Sequence, residues 1–437
     1  MGHRDNTSPR ATRQASRRNA EDRSSLGYAT RMASGFLCLA DRCPSTCCSD
    51  WQVNIDKQTH DTYTQSVDQS VALIASTALV PYPTDKATPM SHSRIQMGDD
   101  GFCPFLSDQK LCQIQDRLGE LALSPICGTY PREIYRSGTD LSSHAMVLSL
   151  SCPAAAESCV MDPEAMVETE IFEDQFTQKG RLIIRQMESG KRPLQDMLVR
   201  FLDTLMDQKG LGLFAQYIAL RLFVNQTDLS NNASDVTPLT PRGDLVARYQ
   251  AVAQQMEKVQ SKTADLAYQA DRLLEICRLG MRHQGPGSSF TRLLNRVFNI
   301  LGPRLDRESL AIKFQPGLSA FEDYVNDHPH VLKNYCINEF IRAVFKQGNG
   351  EPLVQWVDDI FFRMTLIRMV NSLLASQTRV VESEDFVETI WAISRALAHN
   401  TQLSRTLLNY AVPAGLDRIP TMGLLLATPQ AAGAGPD

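Results

Sequence analysis

The sequence predicts a mostly α protein in two parts: an N-terminal cysteine-rich domain of short helices and loops organised by metal, then a helical domain. Three observations predict it. Nine of the eleven cysteines lie between Cys38 and Cys159, and only Cys277 and Cys336 lie beyond. Across that stretch the chain is rich in turn residues and has only short apolar runs, such as Trp51, Val53 and Ile55 in alternation. From Pro163 onward, apolar residues recur at helical spacing instead.

Taken in order, residues 1–27 are rich in Arg and Ser, with few large apolar side chains to bury, and read as a disordered basic tail. Residues 28–162 form the expected cysteine-rich unit, with one or two strands. Residues 163–425 form the helical domain. In it Leu198, Phe201, Leu202 and Leu205 share one helical face, as do Trp356, Ile360, Met364 and Ile367. A third face joins Phe386, Ile390, Ile393 and Leu397. Ser383 is its expected N-cap, and Glu384 and Asp385 favour the positive helix end. Gly285-Pro286-Gly287 and Gly348-Asn349-Gly350 punctuate the helices, and Asn225 to Asp244 reads as a polar loop. Residues 426–437 close the chain as an Ala/Gly/Pro-rich flexible tail.

A chain of 437 residues suggests about two or three domains. Its 43% hydrophobic and 21% charged residues are those of an ordinary globular protein. A net charge of -5 argues against a nucleic-acid partner. No apolar run approaches the ~18 residues that span a bilayer, so no membrane partner is expected. Arg17-Arg18 precede no apolar segment that would complete an export signal, which makes the cytoplasm the expected compartment. In a reducing cytosol, clustered cysteines are metal ligands rather than a disulfide framework.

The densest cluster is Cys38-x4-Cys43-x3-Cys47-Cys48, followed by Cys103 in GFCPFL, Cys112 in KLCQI, Cys127 in SPICGTYPR and Cys152 in LSCP. Thiolate suits zinc and iron-sulfur clusters, and short loops let several thiolates converge on one centre. These eight cysteines are enough for two four-thiolate sites, or for one cluster with spares. Neighbours such as Cys47 and Cys48 rarely reach the same small ion. Spacing alone leaves zinc and iron-sulfur both open. Cys159 follows seven residues after the last motif and stands outside the set. Cys277, beside Leu273, Leu274 and Met281, and Cys336, one turn from Leu332 and Phe340, are expected core residues.

The ordered cysteine motifs, with Trp51, Leu118-Gly119-Glu120 and LSLSCP, resemble those of bacterial flagellin lysine-N-methylases. That family belongs to a wider group of cysteine-rich, metal-chelating domains. The resemblance extends more weakly through NYCINEF (Asn334 to Phe340) and AHN (Ala398 to Asn400), and so runs from about Arg31 to about Leu408. It implies methyl transfer from S-adenosylmethionine to flagellin lysines, with flagellin as the partner and an iron-sulfur cluster, of the 4Fe-4S kind, as cofactor. The implied ligands are Cys38, Cys43, Cys47, Cys48, Cys103, Cys112, Cys127 and Cys152. The alternative is a zinc- or iron-binding protein of the wider group without enzymatic activity.

Lysine methylation is a displacement at a sulfonium methyl, and the amine must first lose its proton. No C-x3-C-x2-C triplet of the radical enzymes occurs, and no G-x-G-x-x-G opens a helix after a strand. Candidate bases and sulfonium-facing groups are Glu120, Tyr130 and Tyr135, because a carboxylate accepts a proton and aromatic faces attract cations. His60, His92 and His144 lack paired ligand spacing, and Arg132 in the Tyr-Pro-Arg run is expected to form a loop salt bridge.

Overall fold

The computed structural model describes residues 25–49, 51–137, 144–172, 184–187, 191–207, 211–230, 243–261, 265–302, 306–346, 352–412 and 417–428. The chain from residue 1 to 24, Gly348-Asn349-Gly350 and the last nine residues of the expected tail lie outside them, as does most of the polar loop. That loop is also shorter than expected. Asn225 to Ser230 end one helix, and Gly243 and Asp244 begin the next.

Helices dominate, as expected, but the N-terminal part holds more strand than its short apolar runs suggest. Strands β1 (Ser25–Thr30), β5 (Arg132–Ser137), β6 (His144–Leu148), β7 (Glu168–Phe172) and β8 (Ile184–Met187) form a mixed sheet in the order β7-β1-β6-β5-β8. β1 runs parallel to β6, pairing Tyr28 with Ala145, and antiparallel to β7, pairing Tyr28 with Glu170. β5 runs antiparallel to β6 and parallel to β8. Gly27 is required where β1 meets β6. Its φ is +143°, and a Cβ there would lie 2.0 Å from the His144 carbonyl oxygen. The sheet takes strands from beyond residue 162, and β1 begins before residue 28.

A smaller unit hangs between β1 and β5. Strands β2 (Asn54–Ile55), β3 (Leu79–Pro81) and β4 (Ser93–Ile95) pair in the order β2-β4-β3. Helices α2 (Lys57–Thr64) and α3 (Gln69–Ala78) pack beside them, each N-capped by an aspartate, Asp56 and Asp68, as the first-turn amides require. Val53, Ile55, Tyr63, Val71, Leu79, Ile95 and Phe105 form its own core. Cys103 is buried in this core, and Cys48, Cys112 and Cys127 pack against it.

The short helix α1 (Arg31–Ser34) follows β1, while α4 (Gln113–Leu118) and α5 (Pro125–Thr129) lead into β5. Helix α6 (Pro153–Met161) follows β6. The second part supplies α7 (Lys191–Met206), α8 (Leu213–Ser230), α9 (Gly243–Ser261), α10 (Leu266–Gln284), α11 (Ser289–Leu301) and α12 (Arg307–Asp327). It continues with α13 (His330–Lys346), α14 (Leu353–Leu374), α15 (Ser383–Ile393), a π-helical turn at Ser394–Ala398, α16 (Thr401–Ala411) and α17 (Arg418–Leu426). Ser383 is the first residue of α15 rather than its cap. Glu382 holds the cap position, and the Ser383 hydroxyl meets that of Tyr324 at 3.0 Å.

α14 is buried on every side from Trp356 to Leu374, which makes it the axis of the helical part. The three apolar faces expected from periodicity are buried at Phe201, Leu202 and Leu205, at Trp356, Ile360, Met364 and Ile367, and at Phe386, Ile390, Ile393 and Leu397. Cys159, Cys277 and Cys336 are core residues. One continuous core joins the sheet to the helices. α6, whose Ala154, Ala155 and Ala156 let backbones come close, packs against both α13 and α15. The Asn334 side-chain amide donates to the carbonyls of Cys159 and Asp162 at 3.0 Å, and that of Asn338 donates to the Leu148 carbonyl at 3.0 Å. Two residues of the NYCINEF run thus fasten helix α13 to the N-terminal part. Among the described residues, no helix is long and apolar enough to cross a membrane.

Candidate active site

Backbone pairing gathers the cysteines first. The Cys103 amide donates to the Cys48 carbonyl at 2.8 Å, and an isolated bridge joins Leu106 to Cys112. Cys112 and Cys152 occupy the N-cap positions of α4 and α6, and Cys127 lies in the first turn of α5, whose amide Ser124 caps. Amides at these helix starts favour thiolate, and those of Gln115 and Ile114 act on Cys112 as those of Ala155 and Ala154 act on Cys152.

Six of the expected ligands lie near Cys47. Its thiol hydrogen-bonds that of Cys48, and its proximity raises the pKa of Cys43, Cys103, Cys112, Cys127 and Cys152. Cys38 in turn acts on Cys43. Burial is the larger cause for most of them, and it pushes Cys103, Cys127 and Cys152 each up to about 12. Burial and mutual proximity therefore favour the neutral thiol at Cys43, Cys47, Cys103, Cys112, Cys127 and Cys152. Among the described residues, no group of three or more His, Cys, Asp or Glu side chains is placed to hold a metal ion. In donor chemistry the group fits a thiophilic metal, whose binding would release the thiol protons.

Against this cluster lies a narrow cavity of about 20 Å³, lined by Cys47, Ser49, Trp51, Tyr130, Ser151, Arg395 and His399. The cysteine loop contributes Trp51, whose indole N–H donates to the Cys47 carbonyl at 2.7 Å and whose ring lies 5.6 Å from that of Tyr130. The far wall comes from the π turn. A π turn adds a residue to the helical register and redirects the side chains that follow, a distortion frequent at functional sites. Here it brings Arg395 and His399 to the cysteine loop.

Arg395 donates to the Ser45 hydroxyl at 2.9 Å and to the Ser151 carbonyl at 3.2 Å, and its guanidinium lies 5.0 Å from the centre of the Trp391 ring. Its charge lowers the pKa of Cys43, Cys47 and Tyr130, though less than burial or neighbouring thiols raise them. His399 is exposed to solvent, yet its Nε2 lies 2.8 Å from the Ser151 hydroxyl and 3.1 Å from that of Ser149. The Ser151 hydroxyl also meets that of Tyr130 at 3.0 Å. Tyr130, Ser151 and His399 thus form a hydrogen-bonded line from the interior to solvent.

The other candidates divide. Tyr130 lines the cavity; Tyr135 does not, and its hydroxyl donates to Glu133 at 2.6 Å inside the core. Glu120 is exposed on a 3-10 turn. Among the described residues, Arg132 has no partner for the expected loop salt bridge. It donates to the Phe36 carbonyl at 3.1 Å and lies over the Phe36 ring; burial lowers its pKa, against the pull of Glu120, Cys38 and Cys152. His60 stacks edge-on with His92, their centroids 4.9 Å apart, on the small three-stranded unit, and His144 is buried on β6. Sequence reasoning missed Arg395 and the role of His399. The available signal was their i, i+4 spacing, which sets both on one helical face beside the AHN run.

A buried ionic chain crosses the core. Arg342 pairs with Glu133 at 2.6 Å and with Glu339 at 2.6 Å, Arg363 pairs with Glu339 and Asp359, and the Ser404 hydroxyl donates to Asp359. It joins strand β5 to α13, α14 and α16.

The family described as the FliB lysine N-methylase C-terminal domain matches residues 201–425, just over half of the chain. The match lies within the helical part and includes Arg395 and His399, but not the cysteine motifs. Curated lysine-N-methylases of Salmonella typhimurium and Salmonella choleraesuis are each 31% identical over 137 residues, 31% of this chain and 32% of theirs. A flagellar biosynthetic protein FliU of Salmonella muenchen is 31% identical over 133 residues, 30% of this chain and 75% of its own. The matched stretch thus spans about a third of the length of the lysine-N-methylase relatives. No solved structure matches.

Proposed function

The chain belongs to the FliB lysine N-methylase family, and from that footing we propose that it transfers methyl groups from S-adenosylmethionine to lysine ε-amino groups of flagellin. The reaction takes place in the cytoplasm, at the cavity between the cysteine loop and the π turn. The observation that carries this reading is the joining of two groups of residues at one place. The family-matched helical part supplies Arg395 and His399, and they meet a cluster of thiols at Cys47.

Cys38, Cys43, Cys47, Cys48, Cys103, Cys112, Cys127 and Cys152 would hold an iron-sulfur cluster, of the 4Fe-4S kind, in whole or in part. Such a group would supply a soft, electron-accepting centre. The protein residues do the rest. Trp51 and Tyr130 present aromatic faces suited to a cation, and Arg395 anchors the cysteine loop against the helical part. The wall of hydroxyls and imidazole excludes bulk water from the amine.

The test is protein purified without oxygen and assayed for iron, inorganic sulfide and methylation of co-expressed flagellin. Iron with matching sulfide, and added mass on flagellin in methyl steps, are the expected results. Cys47→Ala and Cys103→Ala should each lower iron content and methylation together. Zinc without sulfide would replace the cluster by a structural metal. Unmodified flagellin from metal-replete protein would overturn the methylase reading.

A further inference from the structure

The geometry points to a specific use of the 20 Å³ cavity: it receives the ε-amino head of the substrate lysine, and His399 carries that group's proton out to solvent. The inference rests on the methylase reading and adds the subsite and the proton acceptor.

Size limits the occupant. About 10–15 Å³ of this kind of space holds one water molecule. The cavity therefore takes an ammonium or methyl-sized head, not a nucleoside donor, which must approach from outside it. Chemistry limits the occupant further. Trp51 and Tyr130 offer ring faces, and the hydroxyls of Tyr130 and Ser151 offer acceptors, the combination that recognises an organic cation. Access comes from the side of His399, which is exposed while Arg395 and Ser151 are buried.

The same walls make the head lose its charge. Desolvation disfavours ammonium, and the Arg395 guanidinium opposite disfavours it again, the pairing of effects that activates buried amines. The proton needs a route, and the Ser151 hydroxyl provides one, 2.8 Å from His399 Nε2. The titratable or charged groups that share the cavity with His399 are Arg395 of its own turn, Tyr130 after α5 and Cys47 of the loop, with Cys152 next after Ser151 in the chain.

The step balances as follows. The lysine ammonium passes one proton through Ser151 to neutral His399, which becomes imidazolium and returns a proton to solvent from its outer nitrogen. The freed lone pair forms the N–C bond while the C–S bond of the sulfonium donor breaks. That bonding pair stays on sulfur as a neutral thioether, and the positive charge passes to the methylated amine.

The experiment compares wild-type, His399→Gln and Ser151→Ala full-length proteins of equal metal content. Methyl transfer from S-adenosylmethionine to flagellin is followed from about pH 6 to 10, a range that spans the histidine and lysine titrations. The wild-type rate should rise through the histidine range and level off. His399→Gln should be about 100-fold slower near neutrality, the typical contribution of a positioned acid–base group. Its rate should keep climbing by about tenfold per pH unit toward the lysine pKa near ~10.4. Ser151→Ala should share that climbing profile. A wild-type rate and profile in His399→Gln, or in Ser151→Ala, would overturn the relay while leaving the methylase reading in place. Wild-type protein that transfers no methyl group would overturn both.

Discussion

A carboxylate shut away from water persists only where cations are brought to it, and Glu339 has two. Burial raises its pKa, but Arg342 and Arg363 outweigh that and hold it at about 2. The folded pKa is thus below the ordinary carboxylate value of 4.5. The stabilisation is therefore complete above about pH 4.5 and is lost as pH falls toward 2. Glu339→Gln leaves two buried guanidinium groups short of a counter-charge and should cost about 3–5 kcal/mol in urea unfolding at neutral pH. The acid limb of stability should also become shallower in that variant. At this scale the sequence was uneven in what it revealed. The buried Cys277 and Cys336 were legible, because apolar neighbours are local signals. Glu339 lay in a noted motif, but its charge gave no hint of burial. Its partner Arg363, and Glu133 on the far side of Arg342, are remote in sequence, and compensation between remote charges leaves no spacing to read.

Among the elements, periodicity located the helices better than their ends or their distortions. The apolar faces of α14 and α15 were visible. The π turn was not, since one inserted residue hardly disturbs an apolar stripe that is buried all round. Ser383 was misplaced by one position, because acidic residues in the first turn suit either Ser383 or Glu382 as cap. Among the extra strands, β2, β3 and β4 escaped for a different reason: two- and three-residue strands are too short to show alternation. The contact between α12 and α14 can be tested directly. A Cβ on Gly317 would lie 1.7 Å from the Ser372 carbonyl oxygen, so the two helix backbones nearly touch. Gly317→Ala must push them apart and should cost about 1–3 kcal/mol or more, read as a lower midpoint in thermal unfolding. Pro316, inside the same helix, supplies no amide to the ladder beside the contact.

For the molecule as a whole, two parts were expected, and their boundary at residue 162 falls in front of strands that complete the N-terminal sheet. β7 pairs with β1 and β8 with β5, so a fragment ending at residue 162 strips two neighbours from the sheet. It also uncovers α6, which α13 and α15 cover in the full chain. Such a fragment should be aggregation-prone and should lack a cooperative unfolding transition by circular dichroism, whereas the full chain unfolds cooperatively. The cavity has a further consequence, which concerns synthesis. Its walls meet through Arg395 and Ser45, 350 residues apart in the chain. At about 5–20 residues per second, a ribosome makes the cysteine loop on the order of tens of seconds before it makes the turn that closes over it. On the proposed reading, the thiols would be open to an incoming metal donor during that interval, before the amine pocket is formed. On that reading, a chain interrupted before the π turn would still collect metal but would have nowhere to hold a lysine.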